Sequence, residues 1–269
     1  MMLNHEYTPT SFGKGVIVPL IKDSTGDPSS LDNYRPITLS PTIAKVFEAF
    51  ILQKFPLLTL TDDLQFGFKS DLGCRNAIFA LRQVVKYFND RQSSVFVASV
   101  DASKAFDRVN HCKLFTILIN RGLPLFIVNL LSDWYSKLSA VVRWNGSLST
   151  PINIYSGVRQ GGILSPFLFN IYVNDMICKL RSNRLGCHLR NVYLGCIMYA
   201  DDLLLLSSSV KELQLMLDIC STIGNDLDIK FNSSKSMCMV IGRCIATPAT
   251  MYIDKLPIPW VDELSLIHI

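Results

Sequence analysis

Asp201 and Asp202 break a stretch that is otherwise apolar, with Cys196, Ile197 and Met198 ahead of them and Leu203 through Leu206 behind. Holding ionised carboxylates against a core costs several kcal/mol each unless a cation or donor compensates, and adjacent like charges add to that cost. A divalent cation would remove the penalty. A solvent-facing turn between two buried strands would avoid it, since Asp-Asp is also good turn chemistry. A second segment favours the cation: Val95 to Val100 is another apolar strand that ends on an acid, Asp101. If the two strands are neighbours, three carboxylates gather. An all-oxygen set of this kind suits Mg²⁺, or Mn²⁺, which keeps part of its water shell and shares coordination with substrate phosphates. Two such ions about 3.5–4 Å apart activate an attacking hydroxyl and stabilise a leaving pyrophosphate, so the implied reaction is nucleotidyl transfer.

Between these acids lies Ser156-Gly157-Val158-Arg159-Gln160-Gly161-Gly162, a glycine-rich segment leading into a helix that Ser165 caps and Pro166 opens. Backbone without side chains can approach a ligand closely there. It is not a Walker loop, because no Gly-Lys-Ser/Thr follows, and its glycine spacing is not the dinucleotide fingerprint. A purely structural turn is the alternative. Cys187, His188 and Cys196 cluster, but their spacing fits no usual zinc template. The eight cysteines contain no CxxC pair and read as packing residues of a reducing compartment.

The elements that must position these residues follow from apolar period and turn chemistry. Val16 to Ile21 and Tyr34 to Leu39 form a candidate hairpin across a polar loop. Ser40 and Pro41 supply a cap and first turn for a helix whose Ile43, Val46, Phe47, Phe50 and Ile51 share one face. A second helix is predicted from Arg75 to Phe88, a third carries Leu114, Phe115 and Leu118 inward, and a fourth runs near Leu125 to Trp134. Asn145-Gly146 marks a hairpin turn after Ala140 to Trp144, with a return near Ile152 to Tyr155. Ser209 and Glu212 have capping-box spacing and open a helix with Leu213, Met216, Leu217 and Cys220 on one face. Alternation at Leu227, Ile229 and Phe231 predicts a further strand. The mixture lacks a strict βαβ rhythm and argues for an α+β fold, an antiparallel sheet with helices on one face, over a doubly wound α/β sheet.

Composition is compatible with this picture. At 269 residues and 49% hydrophobic content the chain has ample material for one or two cores, which rules out a disordered class. No apolar run approaches the roughly 20 residues of a membrane helix, so no membrane span is expected. The N-terminus lacks the basic start and apolar core of a secretory signal, so cytoplasmic synthesis is expected. A net charge of +4 tolerates a nucleic-acid partner without demanding one.

Taken in order, these segments resemble the reverse transcriptase family, and within it the enzymes of non-LTR (LINE-type) retrotransposons. NYRPITLSPTIAKVFE resembles the early fingers motifs, QFGFKSDLGCRNAI the segment after them, VDASKAFDRVNHCKL motif A, SGVRQGGILSPFLFNIYVNDM motif B, YADDLLLL motif C and LDIKFNSSKSMCMVIG motif D. The resemblance implies the fingers and palm of a right-hand polymerase: fingers over 1–94 and palm over 95–269, with 113–155 partly finger-like, 251–269 an incomplete primer grip, and the thumb absent. It implies an RNA template, a DNA primer and a dNTP as partners, a nuclear site of action, and thumb and endonuclease domains in a longer protein. A noncatalytic remnant that binds RNA or is inert is the rival reading, and an RNA-templated RNA polymerase a third.

Carried over by position, the resemblance makes Asp101, Asp201 and Asp202 the catalytic, metal-binding carboxylates, Asp202 the most peripheral of them, with the carbonyl of Ala102 completing the coordination. Phe106 matches the residue whose bulk excludes a ribose 2′-OH; a core aromatic on a short helix is its other reading. Gln160 and Gly161 match positions that contact the incoming nucleotide and template, and Lys22 and Arg35 match fingers residues that grip its triphosphate. Lys235 matches a lysine that protonates departing pyrophosphate, with a solvated turn lysine as the alternative. Helix capping and local hydrogen bonds account for Asp107, Arg108 and Asn110. Arg159 stands where many relatives carry proline.

Overall fold

A computed structural model describes residues 2–243 and 248–263. The last residues of the expected primer-grip segment, 264–269, lie outside the described residues. Along the chain run α1 (Met2–His5), α2 (Thr10–Gly13), β1 (Lys14–Ile21), β2 (Tyr34–Leu39), α3 (Thr42–Lys54), α4 (Cys74–Asn89) and β3 (Val95–Val100). There follow α5 (His111–Asn120), α6 (Leu125–Ser136), β4 (Ser139–Trp144), β5 (Ser147–Leu148), β6 (Ile152–Asn153) and α7 (Ser165–Ser182). The chain closes with β7 (His188–Leu189), β8 (Val192–Tyr193), β9 (Cys196–Tyr199), β10 (Asp202–Ser207), α8 (Val210–Asp226), β11 (Met237–Ile241), β12 (Met251–Ile253) and β13 (Leu256–Ile258). These elements form two units, Met1–Leu60 with Phe106–Phe169, and Thr61–Ala105 with Asn170–Ile269.

In the first unit β1 and β2 pair antiparallel from Val16 opposite Leu39 to Ile21 opposite Tyr34, so the predicted hairpin forms. The other edge of β1 pairs in parallel with β4. Asn145 and Gly146 turn the chain from β4 into β5 at φ +47° and +78°, the two left-handed residues that a tight hairpin turn needs. The start of α3 differs by one residue from the sequence reading: Pro41 occupies the cap position and no side chain caps it, so Ser40 is outside the helix. The core packs Phe12 edge-on to Phe47 and Trp134, at centroid distances of 6.0 and 5.7 Å.

The second unit is built on a four-stranded sheet in the order β11-β3-β10-β9, antiparallel throughout. Leu203 through Leu206 are all buried, the continuous apolar run of a strand covered on both faces. Ser209 caps α8 by accepting from the Glu212 N–H, and Leu213, Met216, Leu217 and Cys220 are buried as predicted. The strand expected over Leu227 to Phe231 does not form. Those residues wrap the C-terminus of α8, with Leu227 N–H donating to Ile223 O, Ile229 N–H to Gly224 O, and Asp228 left-handed at φ +57°. This wrap buries Leu227 and Ile229 as an alternating strand would, and the edge strand beside β3 is instead β11. None of the described helices is long and apolar enough to cross a membrane.

Candidate active site

The register of the second sheet decides where its acids lie. Leu203 stands opposite Val100 in the antiparallel β10–β3 pair, so the next residues outward, Asp202 and Asp101, leave the sheet at the same edge. Asp202 pairs with Tyr199 across the β9–β10 hairpin, which makes Ala200 and Asp201 its two-residue turn. Ala200 sits at φ +58°, a conformation that favours glycine and costs a side-chain-bearing residue about 1 kcal/mol. The main chain of Asp101 is fixed on both sides: its N–H donates to Ser236 Oγ at 3.2 Å and its carbonyl accepts from Asn232 N–H at 2.8 Å.

The charges of these acids act on one another. Burial, then Asp201, then Asp101 push the Asp202 carboxyl up to about 7. Two neighbouring negative charges and partial desolvation are what a hard cation would offset, so the donor set suits a divalent ion. Among the described residues no three acidic, His or Cys side chains already converge as a ready-made ion cage. Ala102 bridges to Phe231, and Ser103 N–H donates to Lys230 O at 2.8 Å, so the chain after Asp101 is also pinned. Lys235 is exposed in the Asn232–Ser236 turn, whose first residue bonds the Asp101 carbonyl.

The first unit organises the glycine-rich segment. Gly157 N–H donates to Val109 O and Val158 N–H to Phe106 O, both at 2.8 Å, while Thr38 N–H on β2 donates to Gln160 O at 2.7 Å. Gly161 lies at φ +113°, and a Cβ there would meet Thr38 O at 2.8 Å, so the loop needs glycine for conformation and for space. Gln160 Nε2 donates to Asp107 Oδ1 at 3.1 Å. The Phe106 ring stacks on Phe169 with centroids 4.3 Å apart. Lys22 and Arg35 are exposed on the β1–β2 hairpin, Lys22 donating to Asp32 O at 2.8 Å.

Three buried polar residues, two in the first unit and one in the second, hold these segments, and the sequence reading gave none of them a role. Arg159 is a buried anchor, donating from Nη2 to Phe12 O and Gly13 O at 3.0 and 2.7 Å and from Nη1 to Ser40 Oγ at 3.2 Å. Burial pulls its guanidinium pKa down, and Glu48 opposes that shift. The Glu48 carboxylate accepts from Ile163 N–H at 2.6 Å and Leu164 N–H at 3.4 Å, just ahead of α7, although burial pushes its carboxyl up. The third is Gln65, 1% exposed and bonded to Ala200.

The fold has solved counterparts. The chain is similar to apo telomerase from Candida tropicalis with a TM-score of 0.60 at 14% identity, covering 90% of this chain and 52% of that one. Telomerase from Candida albicans superposes with a TM-score of 0.55 at 13% identity, over 93% of this chain and 45% of that one. The class is therefore the α+β fold that these telomerase chains share. Among curated proteins the chain is 26% identical over 235 residues to the Pol polyprotein of the retrotransposable element R2DM of Drosophila melanogaster, covering 84% of this chain and 22% of that protein. It is 26% identical to the R2 element polyprotein of Popillia japonica, over 98% of this chain and 38% of that protein, and 28% identical to the probable RNA-directed DNA polymerase of the Drosophila X-element, over 94% and 28%. Residues 21–261 match the family described as "Reverse transcriptase (RNA-dependent DNA polymerase)", and the chain belongs to it, on the side of the non-LTR retrotransposon enzymes. It spans between about a fifth and two fifths of these relatives' length.

Proposed function

We propose that this chain carries the nucleotidyl-transfer site of an RNA-directed DNA polymerase, which extends a DNA primer 3′-OH along an RNA template with deoxynucleoside triphosphates. The observation that carries the reading is the sheet register that brings Asp101 to the edge where Asp201 and Asp202 turn. In this reading the three carboxylates and the Ala102 carbonyl would hold divalent ions, Mg²⁺ or Mn²⁺, whose chemistry would be to activate the primer hydroxyl and stabilise the leaving pyrophosphate. Lys22 and Arg35 offer exposed cations to a triphosphate, the Arg as a bidentate fork and the Lys as a point charge. Gln160 and Gly161 present a held backbone edge to nucleotide and template, and the bulk of Phe106, fixed by its stack on Phe169, selects against a 2′-OH. Lys235, exposed in its turn, supplies a proton to departing pyrophosphate.

Primer extension on poly(rA)/oligo(dT) with dTTP and Mg²⁺ tests the reading. The chain should incorporate dTMP, and the Asp201→Ala, Asp202→Ala double variant should not. Equal incorporation by both refutes it.

A further inference from the structure

The turn that carries Asp201 is not held by its own hairpin alone. Residues 64–67 run alongside β9 as a short extra edge: Met198 N–H donates to Leu64 O at 2.9 Å, Phe66 N–H donates to Met198 O at 2.8 Å, and Gln65 bridges Met198 in parallel. From this segment the Gln65 side chain reaches the turn. Its Oε1 accepts from Ala200 N–H at 3.1 Å and from Gly67 N–H at 2.9 Å, and its Nε2 donates to Ala200 O at 3.3 Å. Gln65 therefore bonds both main-chain polar groups of the one left-handed residue in the turn. The fit is close, because a Cβ on Gly67 would lie 2.3 Å from Ala200 N. The segment is anchored from behind by buried Asn170 of α7, whose Nδ2 donates to Gly67 O at 2.8 Å. A hydrophobic pair of strands would close with a Gly-containing turn and no such brace; here Ala200 is forced into a costly conformation and a buried amide holds it there.

We propose that Gln65 and Gly67 are positioning residues that fix the Ala200–Asp201 turn, and through it the direction in which the Asp201 carboxylate is presented to a divalent cation. Partners that orient a ligand without touching the metal are worth about 10–100-fold in affinity. Replacing Gln65 with Met keeps length and burial but leaves Ala200 N–H, Ala200 O and Gly67 N–H without their partner. Gly67→Ala attacks the same contact sterically, since Gly67 has no left-handed φ to lose. Gly73→Ala is the matched control, because nothing lies within 4 Å of a Cβ there. Val84→Ala, in the buried face of α4, is the control for lost stability.

The inference rests on the proposed ion-binding role of the acids, and the experiment separates the two. Mn²⁺ binding to the intact chain is titrated in the presence of dTTP by the loss of the free-ion paramagnetic resonance signal, alongside thermal midpoints. Gln65→Met and Gly67→Ala should each weaken Mn²⁺ binding about tenfold or more. Gly73→Ala should match the parent chain, and Val84→Ala should bind as the parent despite a lower midpoint. In the parent chain the Ala200 amide should exchange slowly with solvent deuterium although it sits at a hairpin tip. Unchanged Mn²⁺ binding in Gln65→Met and Gly67→Ala, a loss in Val84→Ala of the same size, or rapid exchange at Ala200 overturns the proposal. A parent chain that binds no more Mn²⁺ than the Asp201→Ala, Asp202→Ala variant overturns the ion-binding reading itself, and the positioning role falls with it.

Discussion

At Asp202 the fold carries an electrostatic cost. Its carboxyl is pushed up to about 7 in the folded chain by burial, Asp201 and Asp101, against an ordinary value of 3.8. A group that binds its proton more tightly when folded contributes stability at low pH, and that contribution fades as pH rises through the folded value. The side chain is only partly buried, and solvent screening discounts the effect to about 1 kcal/mol. Without added divalent ions, urea unfolding should therefore show the parent chain losing about 1 kcal/mol more between pH 5 and pH 8.5 than an Asp202→Asn variant, which has no proton to lose. Parallel pH curves for the two chains would contradict the assignment. These acids were visible in the sequence because two charges inside a leucine run conflict with their surroundings. Gln65 was not, because a lone glutamine in QFGF conflicts with nothing until residues far along the chain bury it.

The same distinction holds for whole elements. Hairpin β1–β2, helix α8 and the Asn145-Gly146 turn were legible because local chemistry alone specifies them, and each forms where the spacing puts it. The strand expected over Leu227 to Phe231 failed because a helix C-terminal wrap buries the same alternate residues. The loop ahead of α7 shows what long-range packing adds. Ser165 and Pro166 announce the helix, but the first donors ahead of it are satisfied by Glu48, which the sequence places on a different helix. Glu48→Ala would strand those N–H groups and remove a negative charge that favours the buried Arg159 cation, a change that costs about 3 kcal/mol. Glu48→Gln keeps an acceptor and should cost less than half as much. Chemical denaturation of the two variants measures this; an alanine variant as stable as the glutamine one would show that the carboxylate is not holding the loop.

Across the whole chain, the sheet whose edge carries the acids is assembled from remote pieces. β3 lies between β10 and β11, and both partners follow it by roughly a hundred residues or more of chain. The first strand to be made thus waits for both of its neighbours, and closing such loops before any pairing rewards them makes the topology slow to form. Until then Val95, Val97, Ala98 and Val100, all buried in the finished fold, face water with two unpaired backbone edges. A chain ended after Tyr199 lacks β10 and β11 together, and no other described strand pairs with β3. Its apolar strand is then a template for association with other copies. That truncated chain should sediment as aggregate and bind a hydrophobic dye, whereas one ended after residue 243 retains the four-stranded sheet and should stay monomeric. A soluble, monomeric product ending at Tyr199 with strand content intact would mean that β3 finds another partner, and that the acids reach one sheet edge by something other than this register.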